Sequence, residues 1–173
     1  MSERQEIYSN GFLKVESRPA GGREMITVDR VRTQTGVILV PVSADGKVIL
    51  VREYREGAQD WVVGVVKGAK DSNDEDYETV ARRELLEELG MEAGKVVDTG
   101  IDVYALPSLT ATQGRIMCAY GCKKVQAPSQ EDDEFVEVFR EVGIPELILM
   151  LRSGQINDCE SLSALQSIIL HNI

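Results

Sequence analysis

The sequence is poor in the side chain that most nucleophile and transition-metal chemistry uses. Its single histidine, His171, stands third from the end of 173 residues. Catalytic triads take an imidazole as their base, and zinc or copper sites of the imidazole type need several histidines. Imidazole triads are nearly excluded, and a histidine-rich zinc or copper site is excluded outright. Any metal ion must be held by oxygen ligands, which are the ligands of hard cations such as Mg²⁺, Mn²⁺ or Ca²⁺.

Cysteine is also scarce. Cys118, Cys122 and Cys159 are odd in number, and the first two lie in a strand-like run rather than in a Cys-x-x-Cys motif. This pattern indicates neither a disulfide framework nor a zinc site. We expect buried free thiols.

Long hydrophobic runs are absent. No apolar stretch approaches the roughly 20 residues that cross a bilayer, and the first residues, MSERQEIYSN, contain no hydrophobic signal core. We therefore expect a cytoplasmic protein without a membrane partner.

Positive charge is in deficit. The chain has 19 Lys and Arg against 29 Asp and Glu, a net charge of 19 − 29 = −10. This balance argues against binding nucleic acid through its phosphates. An anionic substrate would have to be met by a bound cation or by local arginines.

The residue patterns predict alternating strands and helices. Strand-like runs occupy 12–18, 23–30, 36–42, 47–54, 61–68, 95–106, 115–125 and 135–142, and helical runs occupy 72–90, 144–154 and 159–170. A Ser-Ala-Asp-Gly turn joins two of the strands into a hairpin. Ser72 and Glu75 form a capping box at the start of the long helix, and Gly90 marks its end. The prediction is one α/β (α+β layered) domain.

The run RRELLEELG (82–90) places three carboxylates on one side of the long helix. Glu84, Glu87 and Glu88 fall within an arc of about 100°, and like charges at this spacing cost roughly 0.2–0.5 kcal/mol per pair. The simplest interpretation is a solvated acidic face. However, Tyr77 and Val80 extend an apolar surface toward the arc, and carboxylates beside such a surface are costly unless a cation compensates.

This helix resembles the Nudix box, G-x5-E-x7-REUXEEXGU, where U is a bulky aliphatic residue. The match runs from Glu75 to Met91. One position departs from the pattern, because Ala69 stands six residues before Glu75 and the nearest glycine is Gly68. The order of elements along the chain is similar to the ADP-ribose pyrophosphatase and ADP-compounds hydrolase branch. Gly64 and Pro107-Ser108 are closer to the second of these forms.

The resemblance implies a Nudix-type α/β/α sandwich with a mixed sheet and N-terminal antiparallel strands. Residues 1–33 would form a β appendage that pairs two copies into a homodimer, and residues 34–173 the hydrolase domain. The implied activity is metal-dependent hydrolysis of the pyrophosphate bond in ADP-linked metabolites such as ADP-ribose, ADP-sugars or adenine dinucleotides, giving AMP and a phosphorylated partner. The substrate would be a nucleoside diphosphate derivative.

The same resemblance assigns the metal ligands. Glu84, Glu87 and Glu88 would hold Mg²⁺, or Mn²⁺ in its place, and the backbone carbonyl of Lys67 or Gly68 would assist. Cations at such a site neutralise phosphate oxygens and activate water.

Further residues are candidates for catalysis. Arg83 would orient a glutamate of the box, or form only a surface pair with Glu87. Glu75 is explained by the capping box alone. The general base would come from the acidic run QEDDEF, with Glu134 favoured and Glu131 second, although a solvated loop explains the same residues.

Arginine and aromatic residues could bind the substrate. Arg52, Tyr54 and Arg55 end a strand where phosphate or ribose could be met, or serve only as solubilising charges. Trp61 could stack on a base, but a core position is the more common role of a single tryptophan. Lys67 and Lys70 could assist the phosphates.

Two other functions stay open. The chain could be a catalytically silent Nudix module that binds nucleotide as a sensor, which the irregular position at Gly68 allows. It could also carry a purely structural acidic helix without metal.

Overall fold

The computed structural model describes residues 3–130 and 135–171, and within them the chain forms eleven strands and three helices. The strands are β1 (Gln5–Ser9), β2 (Leu13–Ala20), β3 (Arg23–Arg30), β4 (Thr35–Ser43), β5 (Val48–Arg55), β6 (Asp60–Gly64), β7 (Val66–Ala69), β8 (Met91–Glu92), β9 (Lys95–Tyr104), β10 (Gln113–Lys124) and β11 (Val136–Val142). The helices are α1 (Tyr77–Leu89), α2 (Ile144–Ser153) and α3 (Cys159–His171).

The first three strands form a small antiparallel sheet of their own, in the order β1-β2-β3. Gly21 and Gly22 both have positive φ, 58° and 77°, as a tight two-residue hairpin turn between β2 and β3 requires. Strands β2 and β3 match the predicted runs closely. Strand β1 was not predicted, because its sequence QEIYS is short and all of its residues are exposed.

The remaining eight strands form a mixed sheet in which β11, β5, β4, β10 and β8 follow one another. Strands β4 and β10 run parallel, and the other pairings are antiparallel. The predicted hairpin of β4 and β5 is present, but these strands pair only at Val42 and Val48. Beyond that point they diverge, so that β7 pairs with β4 and β6 with β5.

Two apolar clusters cover the two faces of this sheet. On one face, α1 contributes Val80, Leu85 and Leu89 to a cluster with β4, β5 and β10. On the other face, α2 and α3 pack through residues such as Leu147 and Leu165. The buried residues of β4 alternate between these clusters, because successive side chains of a strand point to opposite faces. The predicted α/β/α sandwich with a mixed sheet is confirmed.

The long helix begins later than the sequence predicted. Asp76, not Ser72, is the N-cap, and its carboxylate accepts a hydrogen bond from the Thr79 backbone N–H at 2.9 Å. Glu75 does not close a capping box, because its carboxylate accepts from the Asp71 backbone N–H in the preceding loop at 2.8 Å. The predicted end is confirmed, since Gly90 has the left-handed conformation (φ 64°) and its N–H bonds back to the last turn.

The predicted strand 61–68 is in fact two strands that separate at Val65. Gly64, at the end of β6, packs against α3. A Cβ at this position would overlap the Ser161 hydroxyl, and the same hydroxyl accepts a hydrogen bond from the Val65 backbone N–H at 3.1 Å. This hydrogen bond links the start of α3 to the sheet at the junction of β6 and β7.

The expected buried thiols are found at two of three positions. Cys118 and Cys122 are buried and Cys159 is exposed, and all three are free. Burial raises the pKa of Cys118 to about 11. Among the helices of the described residues, none has the length and apolar character needed to span a membrane.

We predict that Gly64→Ala destabilises the protein by roughly 1–3 kcal/mol, because an added methyl group must displace the buried Ser161 side chain. Gly57→Ala is the matched control, since a Cβ there meets nothing within 4 Å and Gly57 has no positive φ. Urea denaturation of both variants measures the difference. Equal midpoints would contradict the close packing of α3 on Gly64.

Candidate active site

The acidic side of α1 is only partly open to solvent. Glu84 and Glu88, one turn apart, are 6% and 4% exposed, whereas the Glu87 side chain is 42% exposed. A solvated acidic face is therefore ruled out for Glu84 and Glu88. Because a buried carboxylate is costly unless positive charge or hydrogen bonds reach it, this side of the helix needs local compensation.

Arg83 supplies part of that compensation. One terminal nitrogen of its guanidinium donates to Glu84 at 2.8 Å and to Glu87 at 3.1 Å, and the other donates to the backbone carbonyl of Ala69 at 2.8 Å. Burial works to lower the pKa of Arg83, but Glu84, Glu87 and Asp71 outweigh it and hold that pKa above its ordinary value. Arg83 thereby joins two box glutamates to the end of β7.

Gly68 leaves the space that the Glu84 carboxyl fills. A Cβ at Gly68 would overlap the carboxyl group of Glu84, so any larger residue in β7 would push that side chain away. Gly36, on the neighbouring strand, lies against the carbonyl oxygen of Gly68 in the same manner. The two glycines let α1, β7 and β4 approach closely at this corner of the sheet.

These elements line a cavity of about 1090 Å³. Its wall includes all three glutamates, Lys67 and Gly68. The loop and strand ends of the N-terminal sheet add Phe12, Arg30 and Arg32, and the segment before α3 adds Asn157 and Asp158. Away from α1 the lining carries charges of both signs, the basic residues being Arg30, Arg32, Arg55, Lys67 and Lys70 and the acidic ones Glu53, Asp71, Asp158 and Glu160. Positive side chains are thus available to an anion that is bound together with a cation.

The structure separates the three residues predicted to bind substrate at the end of β5. Arg55 lines the cavity, but Arg52 and Tyr54 do not. Alternation along the strand explains the split, because residues one apart point to opposite faces. Arg52 pairs with Glu137 and lies 5.0 Å from the centre of the Trp61 ring.

For Trp61, the sequence favoured a position in the core over a role in stacking on a base. It is 44% exposed, on β6, and its ring meets Tyr54 edge-on with centroids 6.0 Å apart. The core expectation is wrong, because Trp61 belongs to a short strand at the edge of the sheet.

The two candidate bases, Glu131 and Glu134, lie outside the described residues.

Of the lysines, Lys70 lines the cavity and its ammonium lies 3.9 Å from the centre of the Tyr77 ring.

Sequence reasoning missed a cluster on the cavity wall near α3. The Lys67 ammonium lies 2.9 Å from Asp158 and 3.8 Å from Glu160. Asp158 also accepts from the Ser161 backbone N–H at 2.9 Å and from the Ser161 hydroxyl. The spacing Asp-x-x-Ser at the start of a helical run is a cap signal that could have located Asp158. Its pairing with Lys67 carries no sequence signal.

The glutamates are chemically suitable ligands for a divalent cation, but their present arrangement is not that of a metal site. Carboxylate and backbone carbonyl oxygens are the ligands of Mg²⁺ and Mn²⁺. In the part of the chain that the structure describes, however, no three Asp, Glu, His or Cys side chains are clustered as ligands. Arg83 bonds both Glu84 and Glu87, so a cation would have to compete with its guanidinium.

Comparison with known proteins identifies the family. The family model described as NUDIX domain matches residues 32–158, well over half of the chain. The protein belongs to the Nudix family. The match includes α1, Gly68 and most of the cavity wall, and it makes this Nudix protein a hydrolase.

Curated relatives and a solved structure agree with this placement. The chain is 26% identical over 137 residues to the ADP-ribose pyrophosphatase of Bacillus subtilis, covering 79% of this chain and 72% of that protein. It is 35% identical over 86 residues to the ADP compounds hydrolase NudE of Escherichia coli, covering 50% and 40%. The crystal structure of an ADP compounds hydrolase shares the fold, with a TM-score of 0.77, 21% identity and coverage of 98% of this chain and 91% of that one.

Proposed function

We propose that this Nudix hydrolase cleaves the pyrophosphate bond of ADP-linked metabolites, such as ADP-ribose, ADP-sugars or adenine dinucleotides, giving AMP and a phosphorylated partner. The observation that carries the proposal is the placement of Glu84, Glu87 and Glu88 on one wall of a cavity of about 1090 Å³ whose lining also includes Arg30, Arg32, Arg55 and Lys70. The names of the relatives agree with this substrate class.

Mg²⁺, or Mn²⁺ in its place, is the proposed cofactor. Glu84, Glu87 and Glu88 would hold it together with the backbone carbonyl of Lys67 or Gly68. When bound, such a cation neutralises phosphate oxygens and makes a coordinated water more acidic.

The surrounding residues of the chain have separate proposed tasks. Arg83 keeps Glu84 and Glu87 on the cavity side of α1 through the contacts described above. Arg55 and Lys70 place positive charge on the cavity wall, where the phosphates would lie. Glu134, with Glu131 second, stays the predicted acceptor of the proton from water.

A catalytically silent nucleotide-binding module is the second candidate. It is favoured by the absence, among residues 3–130 and 135–171, of three clustered ligand side chains. Such a protein would bind an ADP-linked compound without releasing AMP.

The test of function is a panel of ADP-ribose, ADP-glucose, a diadenosine polyphosphate and ATP with Mg²⁺ or Mn²⁺, with products identified by mass. We expect AMP and a phosphorylated partner from the ADP-linked compounds, and no turnover after removal of the metal with EDTA. Tight binding of these compounds without any AMP would favour the silent module instead.

Glu87→Gln and Glu88→Gln should each lower kcat by at least about 100-fold, because an amide replaces a charged ligand at the reacting phosphates. The fold should persist, since the side chains keep their size. Glu78→Gln on the same helix is the control, because Glu78 is exposed and pairs only at the surface with Arg82. Thermal shifts on adding MnCl₂ should also shrink in the two variants. Turnover equal to the wild type in both would refute the ligand assignment.

We also propose a homodimer that pairs through the N-terminal sheet. Ile7, Tyr8 and Met25 are exposed apolar residues of β1 and β3, and a second copy of the sheet would cover them. Sedimentation equilibrium should give twice the chain mass, and Tyr8→Glu should shift it toward the monomer. A monomer at all concentrations would contradict the pairing.

A further inference from the structure

The N-terminal sheet contributes one wall of the cavity. Phe12, directly before β2, and Arg30, the last residue of β3, both line it, and we call this pair the N-terminal wall. The pair forms one unit, because Leu13 pairs with Arg30 across the two strands and the Val31 N–H donates to the Phe12 carbonyl at 2.9 Å. The Arg30 guanidinium lies 5.8 Å from the centre of the Phe12 ring. The N-terminal wall therefore keeps its place only if the sheet is held against the rest of the chain.

Asp29, near the end of β3, joins the sheet to the loop between β9 and β10. Its carboxylate accepts hydrogen bonds from the Thr110 hydroxyl at 2.9 Å and from the Ala111 backbone N–H at 2.7 Å. Beside it, the Val28 N–H donates to the Leu109 carbonyl at 2.9 Å. These three hydrogen bonds connect segments that lie about 80 positions apart in the sequence.

The loop that β3 binds is ordered and leads directly to the cavity. The N–H groups of Leu109 and Thr110 both donate to the Leu106 carbonyl, at 2.9 and 3.0 Å. The Thr110 hydroxyl accepts from the Thr112 N–H at 3.0 Å. Thr112 and Gln113, where β10 begins, line the cavity. The bond between β3 and this loop thus fixes the N-terminal wall against the start of β10.

Asp29 acts from outside the cavity. It is 3% exposed, and neither Asp29 nor Thr110 is among the described residues that line the cavity. A buried carboxylate is costly unless hydrogen bonds reach it, and hydrogen bonds to a carboxylate are stronger than those between neutral groups. The acid at this position is therefore explained by the loop that it holds, and not by contact with solvent or substrate.

We propose that Asp29 is a positioning residue that fixes the N-terminal wall against the start of β10 and thereby sets the affinity for the substrate. The inference rests on the proposed function and adds to it a residue that touches neither substrate nor metal. The glutamates proposed to hold the metal belong to α1, a different element. Loss of the Asp29 contacts should therefore weaken substrate binding and leave the chemical step largely unchanged.

Steady-state kinetics with ADP-ribose and Mg²⁺ test the proposal. Asp29→Ala should raise KM at least about tenfold and change kcat less than about threefold, because the lost hydrogen bonds to a carboxylate weaken ground-state and transition-state binding alike. A merely structural role predicts a different pattern. Partial unfolding removes active molecules, which lowers the apparent kcat and leaves KM unchanged.

Two substitutions of Thr110 isolate the hydrogen bond without removing the Asp29 side chain. Thr110→Val keeps the shape but loses the hydroxyl, so KM should rise about 3- to 10-fold. Thr110→Ser keeps the hydroxyl and should have the wild-type KM. Thr99→Val is the control, because the Thr99 hydroxyl bonds the Ile116 carbonyl of the neighbouring strand at 2.8 Å and Thr99 is not among the described residues at the cavity. Its KM should equal that of the wild type.

Each outcome decides a different question. A raised KM in Asp29→Ala and Thr110→Val, with wild-type values in Thr110→Ser and Thr99→Val, supports the positioning role. An unchanged KM in Asp29→Ala, equal KM values in the two Thr110 variants, or an equal rise in Thr99→Val overturns it and leaves the hydrolase intact. If Asp29→Ala does not fold, the two Thr110 variants decide by the same criterion.

A separate measurement distinguishes this inference from the proposed function. If the wild-type protein does not cleave ADP-ribose, the proposed function fails, and the calorimetric Kd for ADP-ribose replaces KM in the same comparisons. If the wild type neither cleaves nor binds ADP-ribose, both the proposed function and the role of Asp29 are overturned.

Discussion

One guanidinium, that of Arg83, joins the acidic side of α1 to the edge of the central sheet. It reaches Glu84 and Glu87 on its own helix and the carbonyl of Ala69 at the end of β7. Glu84 in turn fills the space that Gly68 leaves. Since a buried carboxylate is tolerated only where compensating groups reach it, the distance between α1 and β7 depends on this set of contacts. That distance determines where the cavity wall lies and which side of α1 faces the cavity.

Local signals predicted most of the fold. The errors arose where contacts with distant residues determine the bounds of an element. The glycine that ends α1 and the strands of the central sheet were found because turn residues and apolar runs act over a few positions. The start of α1 was misplaced because Ser72 and Asp76 are both good caps, and only the surrounding loop selects between them. The run WVVGVVKG was predicted as one strand, since its apolar character does not reveal that β6 and β7 pair with different neighbours.

The candidate site was predictable to a similar extent. A motif on one helix places its own residues together, so Glu84, Glu87, Glu88 and Arg83 were found from spacing and resemblance. Residues brought in by long-range packing were not. Asp158 lies more than 90 residues after Lys67, to which it is paired. The sequence of neither segment indicates this pairing. Arg52 and Arg55 were grouped by proximity in sequence, but strand alternation puts only Arg55 in the cavity.

The parallel pairing of β4 with β10 begins at Thr35 and Gln113, which stand 113 − 35 = 78 positions apart, and both residues line the cavity. This long intervening segment must be ordered before the contact can stabilise the chain. The pairing therefore forms slowly compared with local hairpins. During synthesis, β1, β2 and β3 can pair as soon as they emerge, because their contacts are sequential. The cavity therefore stays incomplete until β10 has left the ribosome, and it is acquired after the N-terminal sheet has formed.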